Sequence, residues 1–102
     1  MPAADPLLDE IAALLEAADS GLDVGRLERT LTDGYARALA LEAERSRLRK
    51  RIGALTGAGG RSRELASLAR ELDRREAEVD ALRGQLALLR RRHSSAVRAV
   101  RG

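Results

Sequence analysis

The chain has no cysteine, phenylalanine or tryptophan, and it holds one tyrosine and one histidine among its 102 residues. The absence of cysteine excludes a disulfide framework and thiolate metal sites, so nothing indicates an oxidising compartment. The large aromatic side chains that anchor most globular cores are also scarce. These absences favour one elongated helical domain.

Long apolar runs are missing as well. No window approaches the roughly 18 uninterrupted apolar residues of a membrane span. The acidic residues Asp5, Asp9 and Glu10 stand where a signal peptide would carry positive charge. We therefore expect a soluble cytoplasmic protein with no membrane association.

Residues that carry catalysis or bind cofactors are equally sparse. One histidine, His93, cannot complete a usual transition-metal site without a second imidazole or a thiolate. Helical spacing brings together no serine, histidine and acid, and it places the neighbouring acids Glu42 and Glu44 on different helix faces. We expect a protein that is not an enzyme and has no metal or cofactor.

The residues that are abundant are the best helix formers. Ala, Leu, Glu, Lys and Arg supply 65 of 102 residues, well above the half that marks coiled coils. From Leu65 to Val100, apolar residues recur in alternating steps of three and four, which keeps them on one face of a helix. The same steps run from Val24 to Leu55. Two long helices with facing apolar stripes are predicted.

Capping residues and glycines set the predicted boundaries. Asp5-Pro6 is a good helix start, and the apolar stripe that follows predicts a helix over 6–19. We divide the chain into this short amphipathic N-terminal helix, within residues 1–21, and a long hairpin over 22–102. The hairpin comprises a helix over 23–56, a glycine-rich turn at 57–60 and a helix over 61–100. Gly34 is a weak point inside the first long helix, and a local break at Thr32-Asp33-Gly34 is the alternative.

Folding the chain about the turn pairs the two stripes in an antiparallel register. Leu55 then meets Leu65, and Gly34 meets Leu86, so a small residue faces a large one. The net charge is −7 over residues 1–44, +7 over 45–63, −3 over 64–80 and +6 over 81–102. Antiparallel pairing sets the basic end of each long helix against the acidic start of the other, in agreement with their macrodipoles.

Two helices that touch along one stripe bury too little apolar surface to offset the conformational entropy of the chain. A homodimeric helical bundle is therefore predicted, with a helical protein as the expected class of any further partner. The predicted interaction seam consists of apolar stripe residues from both helices: Leu27, Leu31, Leu41, Leu48, Ile52, Leu55, Leu65, Leu68, Leu72, Val79, Leu82, Leu86 and Leu89. A central alanine-rich surface adds apolar area outside the seam on both helices: Tyr35, Ala36, Leu39, Ala40, Ala43, Ala81, Ala87 and Leu88. We expect the short N-terminal helix, a second protomer, or both to pack there.

Arg45 and Arg75 interrupt the seam at the same level of the predicted hairpin. Glu42, Glu71 and Glu78 lie one turn away and are expected to neutralise them. Polar residues in such a seam set register and oligomeric state at a cost in stability. We interpret this pair as a specificity layer, with an anion or acidic-partner site as the alternative.

Basic residues crowd the turn and the end of the last helix, and the pI is about 10.5. The candidate anion-binding residues lie on both sides of the turn: Arg47, Arg49, Lys50, Arg51, Arg61 and Arg63. They suit phosphate neutralisation, but the hairpin places acidic blocks beside them and no aromatic residue lies near them in the sequence. The predicted function is a self-associating coiled-coil scaffold or protein-interaction module. The alternative is a nucleic-acid-associated accessory protein that uses the basic tip and the C-terminal helix.

Overall fold

The computed structural model describes residues 5–59 and 62–101, the side chain of residue 101 excepted. Over these residues the fold is all-α, with helices α1 (Pro6–Glu16), α2 (Val24–Gly57) and α3 (Ser62–Arg101) and a short 3₁₀ turn at Asp19–Gly21. α2 and α3 pack antiparallel as a long hairpin, and α1 contacts both. The molecule is elongated, with extents of 62 × 29 × 15 Å. The predicted all-α hairpin with a short N-terminal helix is confirmed.

Aspartate side chains start the first two helices, as predicted. The Asp5 carboxylate accepts a hydrogen bond from the Leu7 N–H at 3.0 Å, and Pro6 occupies the first helical position. The Asp23 carboxylate accepts from the Arg26 N–H at 3.1 Å. Both contacts satisfy amides that have no partner within their own helix.

The prediction of a helix over 6–19 was too long. α1 ends at Glu16, and Ala17 is extended, with φ −61° and ψ 142°. The chain must reverse direction between α1 and α2, and it uses Ala17 and the 3₁₀ turn at Asp19–Gly21 to do so. In contrast, α2 passes through Gly34 without a break, and its end at Gly57 is one residue beyond the predicted boundary.

The turn between the long helices is glycine-rich, as the sequence indicates. Gly57 still belongs to α2, and Gly59 has a φ of 73°, a conformation that favours glycine. The last two residues of this stretch, Gly60 and Arg61, lie outside the described residues. α3 begins at Ser62.

Polar contacts across the hairpin follow the predicted register. Arg49 pairs with Glu76 at 2.8 Å, and Arg51 lies 3.8 Å from Glu64. Nearer the open end, His93 contacts Glu28 at 3.0 Å. Each contact joins residues that the antiparallel pairing brings to nearly the same level.

The core lies in the open half of the hairpin, where α1 packs against both long helices. Ile11 of α1 is fully buried there, together with Leu27, Leu86 and Leu89. The seam ends before Val100, which is 81% exposed although the repeat includes it. The antiparallel register places Val100 opposite residue 20, which precedes the start of α2 at Val24. Across the described segments, no helix has the length and apolar character needed to cross a membrane.

Candidate interaction surfaces

Burial of the seam differs sharply between the two halves of the hairpin. In the open half, every seam residue from Leu27 to Leu41 and from Val79 to Leu89 is buried. We call the remaining apolar seam positions, near the turn, the tip-half seam: Leu48, Ile52, Leu55, Leu65, Leu68 and Leu72. Of these, Leu68 is buried and the other five are half-buried. The same heptad pattern is therefore less completely covered near the turn.

The position of α1 coincides with this difference. α1 begins beside Arg37, whose guanidinium lies 3.4 Å from the Asp5 carboxylate. At this point Leu8, which is 43% exposed, lines a cleft of about 280 Å³ together with Leu41 and Ala81. From this cleft towards the turn, α2 and α3 run as a pair without α1 beside them. The tip-half seam thus lacks the third helix that covers the open half.

Arg45 and Arg75 lie beyond this cleft, where the seam crosses from the open half to the tip half. Arg75 pairs with Glu78 at 2.9 Å, as predicted, and with Glu44 on α2 at 2.7 Å, which the sequence reasoning missed. Arg45 lies 3.8 Å from Glu42, the second predicted carboxylate. Among the described residues, the third, Glu71, forms no ion pair.

The guanidinium groups of the two arginines differ in how fully they are paired with polar partners. Burial by itself lowers the pKa of Arg75, but Glu78 and Glu44 outweigh it and the pKa is raised, so the guanidinium stays charged. The Nε of Arg45 is buried and has no hydrogen-bond partner in the described part of the chain. Moreover, its acid, Glu42, also binds Arg83. Arg45 is therefore the less satisfied member of the layer.

The basic residues at the tip are exposed but mixed with acids. Arg49 and Arg51 pair with Glu76 and Glu64, and Arg47 shares a shallow groove with Glu44 and with Glu71. The other described candidates, Lys50 and Arg63, are exposed. Arg61 lies outside the described residues. As the charge blocks predict, the hairpin sets this basic stretch against acidic partners.

The central alanine-rich surface is covered by α1 in part. On α3, Ala81 lines the same cleft as Leu8 of α1. On the outer side of α2, Ala36, Ala40 and Ala43 are exposed, and Leu39 is 65% exposed. Among the described residues, this α2 face remains uncovered.

One contact that holds α1 in place joins residues far apart in the sequence. Arg92 of α3 donates hydrogen bonds to the carbonyl oxygens of Leu15, at 2.5 Å, and Ala17. It also lies 3.2 Å from the Asp19 carboxylate. Carbonyls at the end of a helix have no partner within that helix, so a guanidinium from α3 fills that role. This contact depends on the packing of α1 against α3, so the sequence alone does not predict it.

The described segments contain no group of three His, Asp or Glu side chains arranged to hold a metal ion. Comparisons of the chain with models of known protein families, with curated proteins and with solved structures find no match. The surfaces of the molecule are therefore the features from which a function is inferred.

Proposed function

We propose that this chain is a non-enzymatic, cytoplasmic interaction module, in which the tip-half seam of one copy packs against that of a second copy. The product is a homodimeric helical bundle that serves as a scaffold. The observation that carries the proposal is the incomplete burial of Leu48, Ile52, Leu55, Leu65 and Leu72, in contrast to the buried seam beside α1.

The energetic reason is the apolar area that such packing would bury. Burying a leucine or isoleucine side chain completely is favourable by about 1.5 to 3 kcal/mol relative to leaving it exposed. These half-buried side chains would gain part of that amount, and in a symmetric dimer each contributes twice. Two hairpins that meet along these seams form a four-helix arrangement, a common way to cover such stripes.

Arg45 and Arg75 would limit this packing at one end. A second copy can pack here if the carboxylates that pair with the two arginines stay in place. A shifted register would place leucines of the second copy against the charged layer and is therefore disfavoured. The layer would therefore select the register and oligomeric state of the dimer. The support for this role is its position between the two halves of the seam.

Light scattering of matched variants tests the proposal. The double variant Leu48→Ala/Ile52→Ala removes apolar area from the tip-half seam while keeping strong helix propensity. Its control, Leu39→Ala/Leu88→Ala, removes apolar side chains that are 65% and 47% exposed outside that seam. We expect a dimer for the parent and for the control, and a shift towards monomer for the seam variant, with helix content unchanged by circular dichroism.

Two results would contradict the proposal. A parent that remains monomeric at micromolar concentration has no self-associating seam. Dissociation by the Leu39 and Leu88 changes alone would place the contact on the outer surfaces.

A further helical protein partner is proposed only as a ligand of the same seam. Nucleic-acid binding through the tip is the weaker alternative, because Arg49 and Arg51 already have acidic partners.

A further inference from the structure

We infer that the open end of the hairpin carries a second binding surface, an arginine groove that binds the phosphodiester backbone of a nucleic acid. The groove has a volume of about 520 Å³ and is lined by Tyr35 of α2 and by residues of α3, which include Arg83, Arg90, Arg91 and Arg98 as well as the apolar Leu86 and Ala87. It lies at the opposite end of the hairpin from the tip-half seam. The inference therefore goes beyond the proposed dimer and does not depend on it.

The charge of this groove distinguishes it from the other surface grooves that contain arginine. Glu44 and Glu71 line the groove beside Arg47, and Asp73 lines the groove beside Arg70. No described carboxylate lines the arginine groove. The charged side chains that line it are therefore all arginines, and the rest of its lining is neutral.

Three of the four arginines that line it are available to a ligand. Arg90, Arg91 and Arg98 are exposed, and within the described segments none of them forms an ion pair. Their neighbour Arg92, in contrast, is engaged with the end of α1. A guanidinium binds phosphate oxygens through two parallel N–H donors, which makes arginine well suited to phosphate recognition.

The fold brings an aromatic side chain, Tyr35, to the groove. It is the only aromatic residue of the chain, and the hairpin brings it from α2 to the edge of the α3 arginines. The Arg83 guanidinium lies 6.0 Å from the centre of its ring and also pairs with Glu42. Arg83 is thus held by two partners and forms a wall of the groove, while the other three arginines remain free.

The length of the groove favours a chain of phosphates over a single one. Arg90 and Arg98 are eight positions apart, which corresponds to about 12 Å along the helix axis. Phosphates recur along one strand of a nucleic acid at intervals shorter than this length, so one strand can contact several arginines at once. The hydroxyls of Ser94 and Ser95 add donors between them.

Fluorescence anisotropy with a short labelled DNA duplex and its separated strand tests the inference over a range of salt concentrations. The test variant is Arg90→Gln/Arg91→Gln/Arg98→Gln. The control is Arg29→Gln/Arg70→Gln/Arg74→Gln, which makes the same charge change at exposed arginines outside both the groove and the basic tip. Circular dichroism and light scattering verify that both variants keep the fold and oligomeric state of the parent.

The parent should bind at least one of the two DNA probes with an affinity that falls steeply with salt. The groove variant should raise the Kd about 100-fold and reduce the slope of log affinity against log salt by about 2 to 3, because three phosphate contacts are lost. The control should change the Kd by no more than about threefold, since screening weakens distant exposed charges.

Three results would overturn the inference. Equal losses in the two variants would mean that net charge alone attracts DNA. A parent that binds neither DNA probe has no nucleic-acid groove. Binding of inorganic phosphate or of phosphatidylserine vesicles as tightly as DNA would assign the arginines to another anion.

Discussion

Gly34 and Leu86 pack so closely that a Cβ atom added to Gly34 would overlap Cδ2 of Leu86 and lie 3.4 Å from its Cγ. Leu86 is 1% exposed and belongs to the core cluster, so its side chain must shift within a packed environment to make room. The contact fixes the level at which α2 and α3 meet. A glycine that looks like a weak point in an isolated helix is therefore a packing residue of the hairpin.

Gly34→Ala should destabilise the fold although alanine is the better helix former. The propensity gain of about 1 kcal/mol opposes an overpacking cost of about 1 to 3 kcal/mol, so we expect a net loss of about 1 kcal/mol. Urea unfolding measures this difference. Gly84→Ala is the matched control, because nothing lies within 4 Å of its added Cβ, and it should stabilise. Stabilisation by both changes would show that the Gly34 contact is not tight.

The register was predictable because it depends on a pattern repeated at many levels. Two stripes with the same three- and four-residue steps, joined by a short turn, have one pairing that matches every layer, and Gly34 facing Leu86 belongs to it. Helix starts were predictable at Asp5 and Asp23 for a local reason, since a capping side chain acts on amides two or three residues away.

Arg45→Leu should raise thermal stability, because it removes a half-buried guanidinium whose Nε has no hydrogen-bond partner among the described residues. Replacing a buried charge by a packed leucine is often stabilising by about 1 kcal/mol or more, which corresponds to a rise in Tm of about 5 °C. Arg75→Leu should gain less, since Glu44 and Glu78 then lose their partner.

The double variant Arg45→Leu/Arg75→Leu should combine a higher Tm with a mixture of oligomeric states, as resolved by sedimentation velocity. This outcome follows if the layer sets specificity at a cost in stability. A double variant that melts well below the parent would show that the layer stabilises the fold.

The ion pair between α1 and α2 predicts a pH dependence. The hydrogen bond from Arg26, opposed by burial and reinforced by the charges of Arg26 and Arg29, lowers the pKa of Glu10. A carboxyl group whose pKa is lower in the folded state stabilises the fold above its unfolded pKa. This stabilisation is lost as the pH falls through the folded pKa.

Thermal melts of the parent and of Glu10→Gln across acidic and neutral pH measure this effect. At neutral pH the parent should have a higher Tm than Glu10→Gln. This difference in Tm should vanish at pH values low enough to protonate Glu10. Glu16→Gln, at an exposed position of the same helix, should follow the parent at every pH. A Glu10→Gln variant that melts like the parent at neutral pH would rule out a stabilising role for this pair.

Arg92→Gln should release the C-terminal end of α1. Hydrogen bonds to a charged group contribute about 1.5 to 3 kcal/mol, and the variant should lose about 2 kcal/mol because the carbonyls of Leu15 and Ala17 lose their donor. Limited proteolysis should cut first within residues 5–21. Arg91→Gln changes an exposed neighbour and should leave the cleavage pattern unchanged. Equal protection in the two variants would contradict the docking role.

Features that depend on the packing of three helices could not be predicted from the sequence. The side of the hairpin that α1 covers decides the contact of Arg92 with Leu15, and heptad steps contain no information about it. The approach of Tyr35 to the α3 arginines depends likewise on the rotation of α2 within the pair. Glu44 was missed as a partner of Arg75 because the ion pair crosses between the helices.

Amide hydrogen exchange, measured at low and at high protein concentration, tests the proposed tip-half dimer most directly. Self-association there should slow exchange with rising concentration over residues 45–55 and 65–75, because partner contacts suppress local opening of the helices. Exchange in α1 should stay the same. Exchange that does not depend on concentration at the tip, or protection confined to residues 36–43, would contradict the account.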